Sequence, residues 1–175
     1  NKLDTIDFDK ENIFSINVPT GTGKTILAYS AAFYICSKIT KNNSNIRPHI
    51  IYSLPFTSVI DQNYEVLKDI VENNINKEIS SEDLMKFHSV VPIEYKNFEG
   101  YDARFCFENW QSKIISTTFV QLLNTIFKIG KNSIVNRFHR LANSVIILDE
   151  VQAIDEKYYK IISEFISIMV RQYNC

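Results

Sequence analysis

Apolar runs and helical patterns alternate along the chain. Short runs rich in Ile, Val and Leu predict strands, and segments with apolar residues three or four positions apart predict helices. The predicted strands span residues 13–18, 49–54, 87–91, 113–116 and 145–148, and the predicted helices span residues 26–39, 58–75, 101–110, 119–129 and 157–173. Strands that alternate with helices predict an α/β fold, with a mostly parallel sheet and helices on both of its faces.

Two of the predicted strands are expected to be buried. Residues 145–148 are four apolar residues in a row, which is typical of a central parallel strand covered on both faces. Residues 13–18 are expected to form a second buried strand. Gly130 is expected to end the helix that begins at Phe119, because glycine is a common stop signal.

The size and composition of the chain fit a single domain. Its 175 residues are 45% hydrophobic, which is enough for one sizeable core and too little for two domains. The formal net charge of −1 excludes an overall basic nucleic-acid binder, so any such binding must depend on local charge. Cys36, Cys106 and Cys175 lie far apart and support neither a disulfide framework nor a zinc site.

The chain is expected to be an excerpt of a longer cytoplasmic protein. It begins at Asn1 rather than at methionine, and we find neither a signal peptide nor an apolar run long enough to span a bilayer. Reduced, widely spaced cysteines agree with a cytosolic location. We therefore expect no membrane partner.

A glycine-rich loop follows the first predicted strand. After Val18 the sequence continues with Pro19, Thr20, Gly21, Thr22, Gly23, Lys24 and Thr25. This segment matches the phosphate-loop pattern GxxxxGK[ST], except that Val18 replaces the first glycine. The glycines let backbone N–H groups point at phosphates, the lysine reaches the β- and γ-phosphates, and the threonine hydroxyl joins the magnesium shell. The loop predicts a site for ATP and Mg²⁺; the alternative is a plain glycine turn before a helix.

A pair of acids follows the strand at residues 145–148. Asp149 comes directly after that strand, and ligands bind at the carboxyl ends of the strands in open α/β sheets. A carboxylate at this position can hold magnesium through water. Glu150 is placed to activate the attacking water as a general base. Alone, an apolar run before Asp-Glu is common, but together with the glycine-rich loop it predicts a two-part ATP site.

Polar residues at two strand-to-helix junctions have two interpretations. Hydroxyls at Thr57 or Ser58, and in the segment Ser116 to Thr118, can cap the following helix or hold the phosphates of a nucleic-acid strand.

Between Asn109 and Leu148 the sequence has no Asp or Glu. The same span contains the basic residues Lys113, Lys128, Lys131, Arg137 and Arg140, which form either a nucleic-acid surface or a solvated face. His49, His88 and His139 show no ligand spacing and are assigned no metal.

Four segments in this order resemble the helicase core of the CRISPR-associated helicase-nucleases of type I systems, which belong to helicase superfamily two. The segments are VPTGTGKT, LPFTSVIDQ, ISTTFVQLL and ILDEVQAID. The resemblance implies that residues 1–175 form one RecA-like, P-loop NTPase lobe that uses ATP to move along single-stranded DNA. It also implies recruitment by a crRNA-guided surveillance complex, and a parent protein with a second RecA-like lobe and an HD nuclease domain that this chain lacks.

The resemblance also implies roles for individual residues. Lys24 and Thr25 would hold phosphate and magnesium, Asp149 would hold magnesium, Glu150 would activate water, and Gln152 would couple the nucleotide to the other lobe. The DNA track would be lined by Pro55, Phe56, Thr57, Thr117 and Thr118. No glutamine precedes Lys24, so an adenine-reading glutamine upstream of the loop is missing. Without the arginine finger of a second lobe, the chain alone is expected to be a poor ATPase.

The sequence leaves other functions open. Another superfamily-two DNA or RNA helicase, or the motor subunit of a restriction enzyme, would carry the same two motifs, and an HD domain in the parent would distinguish the CRISPR family from these. A nucleotide-gated binding module without turnover is an alternative of a different class, against which an intact Glu150 argues. A phosphate-loop kinase would need a lid and an acceptor pocket, which we do not find.

Overall fold

The computed structural model describes residues 12–19, 21–75, 78–88, 100–129, 136–173 and 175. The strands are β1 (Ile50–Leu54), β2 (Leu84–Phe87), β3 (Ile114–Thr118) and β4 (Val145–Leu148). The helices are α1 (Lys24–Asn42), α2 (Thr57–Ile75), α3 (Gly100–Glu108), α4 (Phe119–Phe127) and α5 (Tyr159–Tyr173). The predicted alternation of strands and helices is therefore confirmed over these ranges.

The four strands form one parallel sheet in the order β2-β3-β1-β4. Alternate residues of β1 face opposite sides of this sheet. Ile50, Tyr52 and Leu54 pack with α1 and α2, whereas Ile51 packs with Trp110, α4 and α5. Because both faces of the strand are apolar, helices cover both sides of the sheet, as predicted. The chain has an α/β fold consistent with a RecA-like helicase lobe.

The prediction of a strand at residues 13–18 is wrong. These residues form no strand, and Ile13, Phe14 and Ile16 are 63%, 38% and 39% exposed. Strand β4 therefore lies at the edge of the sheet in the part of the chain that the structure describes, and its residues are half-buried rather than covered on both faces. An apolar run becomes a strand only where a neighbouring strand accepts its backbone hydrogen bonds, and residues 12–19 do not pair with β4.

Several element boundaries also differ from the prediction by a few residues, and those of α4 and β2 are two of them. Helix α4 ends at Phe127, before Gly130, because Lys128 adopts a left-handed conformation with φ 54° and its N–H bonds back to the carbonyls of Asn124 and Thr125. This backbone geometry ends a helix whichever residue adopts it. Strand β2 lies at Leu84–Phe87 rather than near residues 87–91. Gly130 and residues 89–91 lie outside the described residues.

None of the described helices is both long and apolar enough to cross a membrane. Cys36, Cys106 and Cys175 are free thiols, each half-buried. Burial raises the pKa of the Cys36 thiol to about 11, so this side chain stays protonated at neutral pH and serves as a small apolar group in the core.

Candidate nucleotide site

The glycine-rich loop has the backbone conformation that its glycines predict. Gly21 and Gly23 have φ angles of 78° and 80°, a left-handed region in which a side chain would be strained. The Thr22 hydroxyl donates to the carbonyl of Pro19 at 2.7 Å and closes the turn. Helix α1 begins at Lys24, immediately after the loop, so its N-terminal N–H groups point toward the glycine-rich loop. Thr20 lies outside the described residues.

The two sequence motifs meet at the carboxyl end of β4. The N–H of Asp149 donates to the carbonyl of Ser53 at 3.0 Å, which continues the β1–β4 ladder by one step and fixes where the carboxylate emerges. The Lys24 ammonium lies 2.8 Å from Asp149 Oδ1 and also donates to Glu150 Oε1. Residues more than a hundred positions apart in sequence therefore share one cluster of charges.

The charges in this cluster stabilise one another. Hydrogen bonds to Asp149 and then to Glu150 raise the pKa of Lys24 above its ordinary value, although partial burial opposes them. Burial alone would raise the pKa of Asp149, but hydrogen bonds from Lys24 and Tyr52 outweigh it and hold that pKa below its ordinary value. At neutral pH the site therefore combines the Lys24 cation with an ionised Asp149 carboxylate.

Glu150 has a constrained backbone and two side-chain partners. Its φ of 56° is left-handed, and its N–H donates to Asp149 Oδ1 at 2.8 Å. A non-glycine residue in this region costs on the order of 1–3 kcal/mol, and such residues cluster at functional sites. The Gln152 side chain donates to Glu150 Oε2 while Lys24 donates to Oε1, so both carboxylate oxygens are oriented. The three residues predicted to be catalytic are thus brought together.

Sequence reasoning missed one hydrogen-bonding side chain behind this cluster, that of Tyr52. The hydroxyl of Tyr52 donates to Asp149 Oδ2 at 2.6 Å, and the Tyr52 ring stacks on Tyr29 with ring centroids 4.6 Å apart. Burial, followed by the hydrogen bond to Asp149, raises the pKa of Tyr52 well above its ordinary value, so the hydroxyl keeps its proton. A tyrosine inside an apolar strand is the available sequence signal, because a buried phenol usually has a hydrogen-bond partner.

The donor atoms at this site fit magnesium, which prefers oxygen ligands. Asp149 supplies a carboxylate and Thr25 a hydroxyl, and the Tyr52 hydroxyl that donates to Asp149 lies close to Thr25. Across the described ranges, no group of three or more His, Cys, Asp or Glu side chains could hold a metal ion. Mg²⁺ usually takes one or two protein ligands and completes its shell with water and substrate phosphates.

Comparison with known proteins identifies the family of this chain. The family model of DEAD/DEAH box helicases matches residues 3–174. The chain belongs to the DEAD/DEAH box helicase family. A curated relative, the CRISPR-associated nuclease/helicase Cas3 of Haloferax volcanii, is 27% identical over 171 aligned positions, and the match covers 92% of this chain and 18% of the relative. This chain thus spans less than a fifth of that relative's length, and the resemblance expected from the sequence motifs is confirmed.

The predicted nucleic-acid residues of this helicase lobe differ in exposure. Phe56 is 59% exposed and Thr57 is exposed at the start of α2, whereas Pro55 is half-buried. The Thr117 side chain is fully buried, and its hydroxyl donates to the carbonyl of Phe87 at 2.9 Å. The Thr118 hydroxyl accepts from the N–H of Gln121 at 3.1 Å and caps α4. Capping is therefore the observed role of Thr118, and a nucleic-acid contact at these residues stays a prediction.

The basic stretch of this helicase lobe is not a continuous exposed surface. Arg137 is only 4% exposed, its guanidinium lies 4.4 Å from the centre of the Phe87 ring, and burial lowers its pKa to about 10. Arg140 donates to the backbone carbonyls of Trp110 and Gln111 at 2.9 and 3.0 Å. Both arginines bind groups within the protein, so their guanidinium groups do not form a free basic surface. A nucleic-acid contact by this stretch stays a prediction. Lys131 lies outside the described residues.

Lys128 is exposed but lies away from the nucleotide site. It follows the last residue of α4, and its ammonium lies 4.4 Å from the centre of the Phe138 ring. Phe138 begins the turn that leads into β4, so this lysine is near the edge of the sheet where the strands begin. The Thr118 cap, by contrast, lies at the carboxyl end of β3, at the other end of α4.

Proposed function

We propose that this chain is the N-terminal RecA-like lobe of a type I CRISPR helicase-nuclease, which binds and hydrolyses ATP to move along single-stranded DNA. The observation that carries the proposal is the meeting of Lys24, Asp149 and Glu150 at the carboxyl end of β4. That arrangement combines a phosphate-binding cation, a metal-binding carboxylate and a general base. Membership of the DEAD/DEAH box helicase family and the similarity to a Cas3 nuclease/helicase support the motor and its CRISPR setting.

The proposed chemistry depends on an exchange of partners by Lys24. Its ammonium bonds Asp149 and Glu150, and the phosphates of bound ATP would draw it toward the loop formed by Gly21 and Gly23. Glu150 then keeps its bond from Gln152 and becomes free to take a proton from the attacking water. Gln152 is exposed, which suits a residue that would couple the bound nucleotide to a second lobe.

Thr25 and Asp149 are the residues that would hold magnesium, and their neighbouring oxygens fit that ion. When bound, the ion would neutralise charge on the β- and γ-phosphates. Pro19, Thr20 and Thr22 would supply the remaining loop contacts to ATP. The role of this chain's residues is to hold the phosphates, to orient the carboxylate and to place the base.

The DNA track would lie at the carboxyl ends of β1 and β3, where Pro55, Phe56, Thr57, Thr117 and Thr118 are placed. Phe56 and Thr57 present exposed side chains at the first of these junctions. At the second junction the hydroxyls are bonded within the protein, so a phosphate there would meet backbone N–H groups rather than these hydroxyls.

The remaining partners follow from the proposed family role. We propose that the full-length protein carries a second RecA-like lobe and an HD nuclease domain, and that a crRNA-guided surveillance complex recruits it to DNA. The curated relative is a nuclease/helicase, and this chain covers only 18% of it. A full-length protein without an HD domain would favour a different superfamily-two helicase or a restriction-enzyme motor.

The test measures ATP hydrolysis by the full-length protein with and without single-stranded DNA. Glu150→Gln should keep nucleotide binding and lower turnover by about 10²- to 10⁴-fold, because it removes a positioned base. Lys24→Ala should lose nucleotide binding, and Glu156→Gln, which changes an exposed acid on the turn before α5, should behave as wild type. Wild-type turnover by Glu150→Gln would reject the assigned base. Nucleotide binding without DNA-stimulated turnover in the wild type would favour the gated binding module.

A further inference from the structure

The Tyr52 hydroxyl lies between the two motifs of the nucleotide site. Tyr52 is on β1, which belongs to neither motif, and it is fully buried. Its hydroxyl donates to Asp149 Oδ2 at 2.6 Å and lies within hydrogen-bonding reach of the Thr25 side chain. The phenol therefore bonds Asp149 and lies close to Thr25, the two residues that the proposed function assigns to magnesium.

The two oxygens of the Asp149 carboxylate have different partners. Oδ1 accepts from the Lys24 ammonium and from the N–H of Glu150, both at 2.8 Å. Oδ2 accepts from the Tyr52 hydroxyl. If Lys24 turns toward bound phosphates, Tyr52 still fixes the rotation of the carboxylate about its side chain. A carboxylate that keeps its orientation loses less freedom when it binds an ion.

The ring of Tyr52 is itself firmly placed. It stacks on Tyr29 with centroids 4.6 Å apart and an interplanar angle of 21°, and it belongs to the core cluster that includes Leu54 and Ile60. The parallel pairing of β1 with β4 sets Tyr52 beside Ile147, two residues before Asp149. The sheet register therefore brings the phenol to the carboxylate, and its position does not depend on the mobile end of a long side chain.

We propose that Tyr52 is a positioning residue for magnesium-dependent nucleotide binding, which acts by orienting Asp149 and, beside it, Thr25. The proposal rests on the proposed function, since it takes Asp149 and Thr25 as the residues that hold magnesium. Partners of this kind, which orient a metal ligand without touching the metal, typically change metal affinity or activity by about 10- to 100-fold when removed.

The experiment measures the affinity of the full-length protein for a fluorescent ADP analogue, in magnesium and in EDTA. Tyr52→Phe keeps the ring and its stacking but removes the hydroxyl. We expect the affinity in EDTA to stay at the wild-type value and the gain in affinity from magnesium to fall by about 10- to 100-fold. Raising the magnesium concentration should restore tight binding, which a general packing defect would not allow. Tyr52→Leu, which also removes the hydroxyl, is the second variant.

Tyr29→Phe is the matched control. It removes a hydroxyl from the neighbouring stacked ring, and that hydroxyl has no hydrogen-bond partner among the described residues. The Tyr29→Phe variant should keep the wild-type gain in nucleotide affinity from magnesium. If magnesium raises the nucleotide affinity of Tyr52→Phe as much as that of the wild type, the proposed role of Tyr52 is overturned and the proposed function stays intact. Magnesium-independent nucleotide binding by the wild type, or full affinity in Lys24→Ala, would instead overturn the proposed function.

Discussion

At the scale of single residues, exposure separates the side chains that can meet a nucleic acid from those that cannot. Phe56 is 59% exposed at the carboxyl end of β1, whereas Arg137 is 4% exposed and packs against Phe87. Both residue types are common in nucleic-acid surfaces, since aromatics stack on bases and arginines bind phosphates. Only the aromatic side chain is accessible here, so the predicted track depends on contacts at the first strand-to-helix junction rather than on the arginines.

We predict that Phe56→Ala in the full-length protein weakens binding to single-stranded DNA. Loss of one base–aromatic stack is worth about 1–3 kcal/mol, which corresponds to roughly 5- to 150-fold in Kd. The salt dependence of binding should not change, because phenylalanine carries no charge. Lys128→Ala, at the other end of α4, is the control and should change neither quantity. Fluorescence anisotropy at several salt concentrations measures both; wild-type affinity in Phe56→Ala would exclude this residue from the track.

At the scale of elements, the alternation of apolar runs with helical patterns and the spacing of the motifs predicted the features that local sequence determines. The four apolar residues at Val145–Leu148 form β4 with the predicted bounds, and the motifs around Lys24 and Asp149 meet as expected. The strand at 13–18 was predicted wrongly because pairing depends on a neighbouring edge that no single segment encodes. Tyr52 was missed for a related reason: its hydrogen bond depends on sheet register, and in sequence it is one more apolar position in a strand.

We predict that Thr118→Ala destabilises the chain through loss of a helix cap. The Thr118 hydroxyl accepts from the N–H of Gln121, and replacing such a cap by alanine costs about 1 kcal/mol. In a chain of this length that loss lowers Tm by roughly 2–4 °C. Thr118→Ser keeps the accepting oxygen and should lie close to wild type in thermal unfolding of the 175-residue chain. Equal Tm values for the alanine variant and the wild type would contradict the capping role.

At the scale of the whole molecule, the placement of the arginines limits what this lobe can do alone. A cation on the γ-phosphate stabilises the transition state of phosphoryl transfer, and a finger arginine is worth about 10³- to 10⁵-fold in rate in related enzymes. Arg104 pairs with Glu108, Arg137 packs against aromatic rings, and Arg140 binds backbone carbonyls. The others are Arg47, which is exposed in the loop before β1, and Arg171, which is exposed near the end of α5. No contact of an arginine with Lys24 or Glu150 is found among the described residues.

We therefore predict that residues 1–175 alone bind ATP weakly, hydrolyse it negligibly and unwind no DNA. Lys24, Asp149 and Glu150 are present, so nucleotide binding should be detectable and should disappear in Lys24→Ala. Adding the rest of the full-length protein, in the same chain or in trans, should restore DNA-stimulated turnover, because a second lobe would close over the nucleotide and supply the missing cation. Circular dichroism of the isolated chain provides the control for folding. Robust DNA-stimulated hydrolysis by the folded chain alone would mean that one of its own arginines reaches the γ-phosphate, and a dependence on a second lobe would then be rejected.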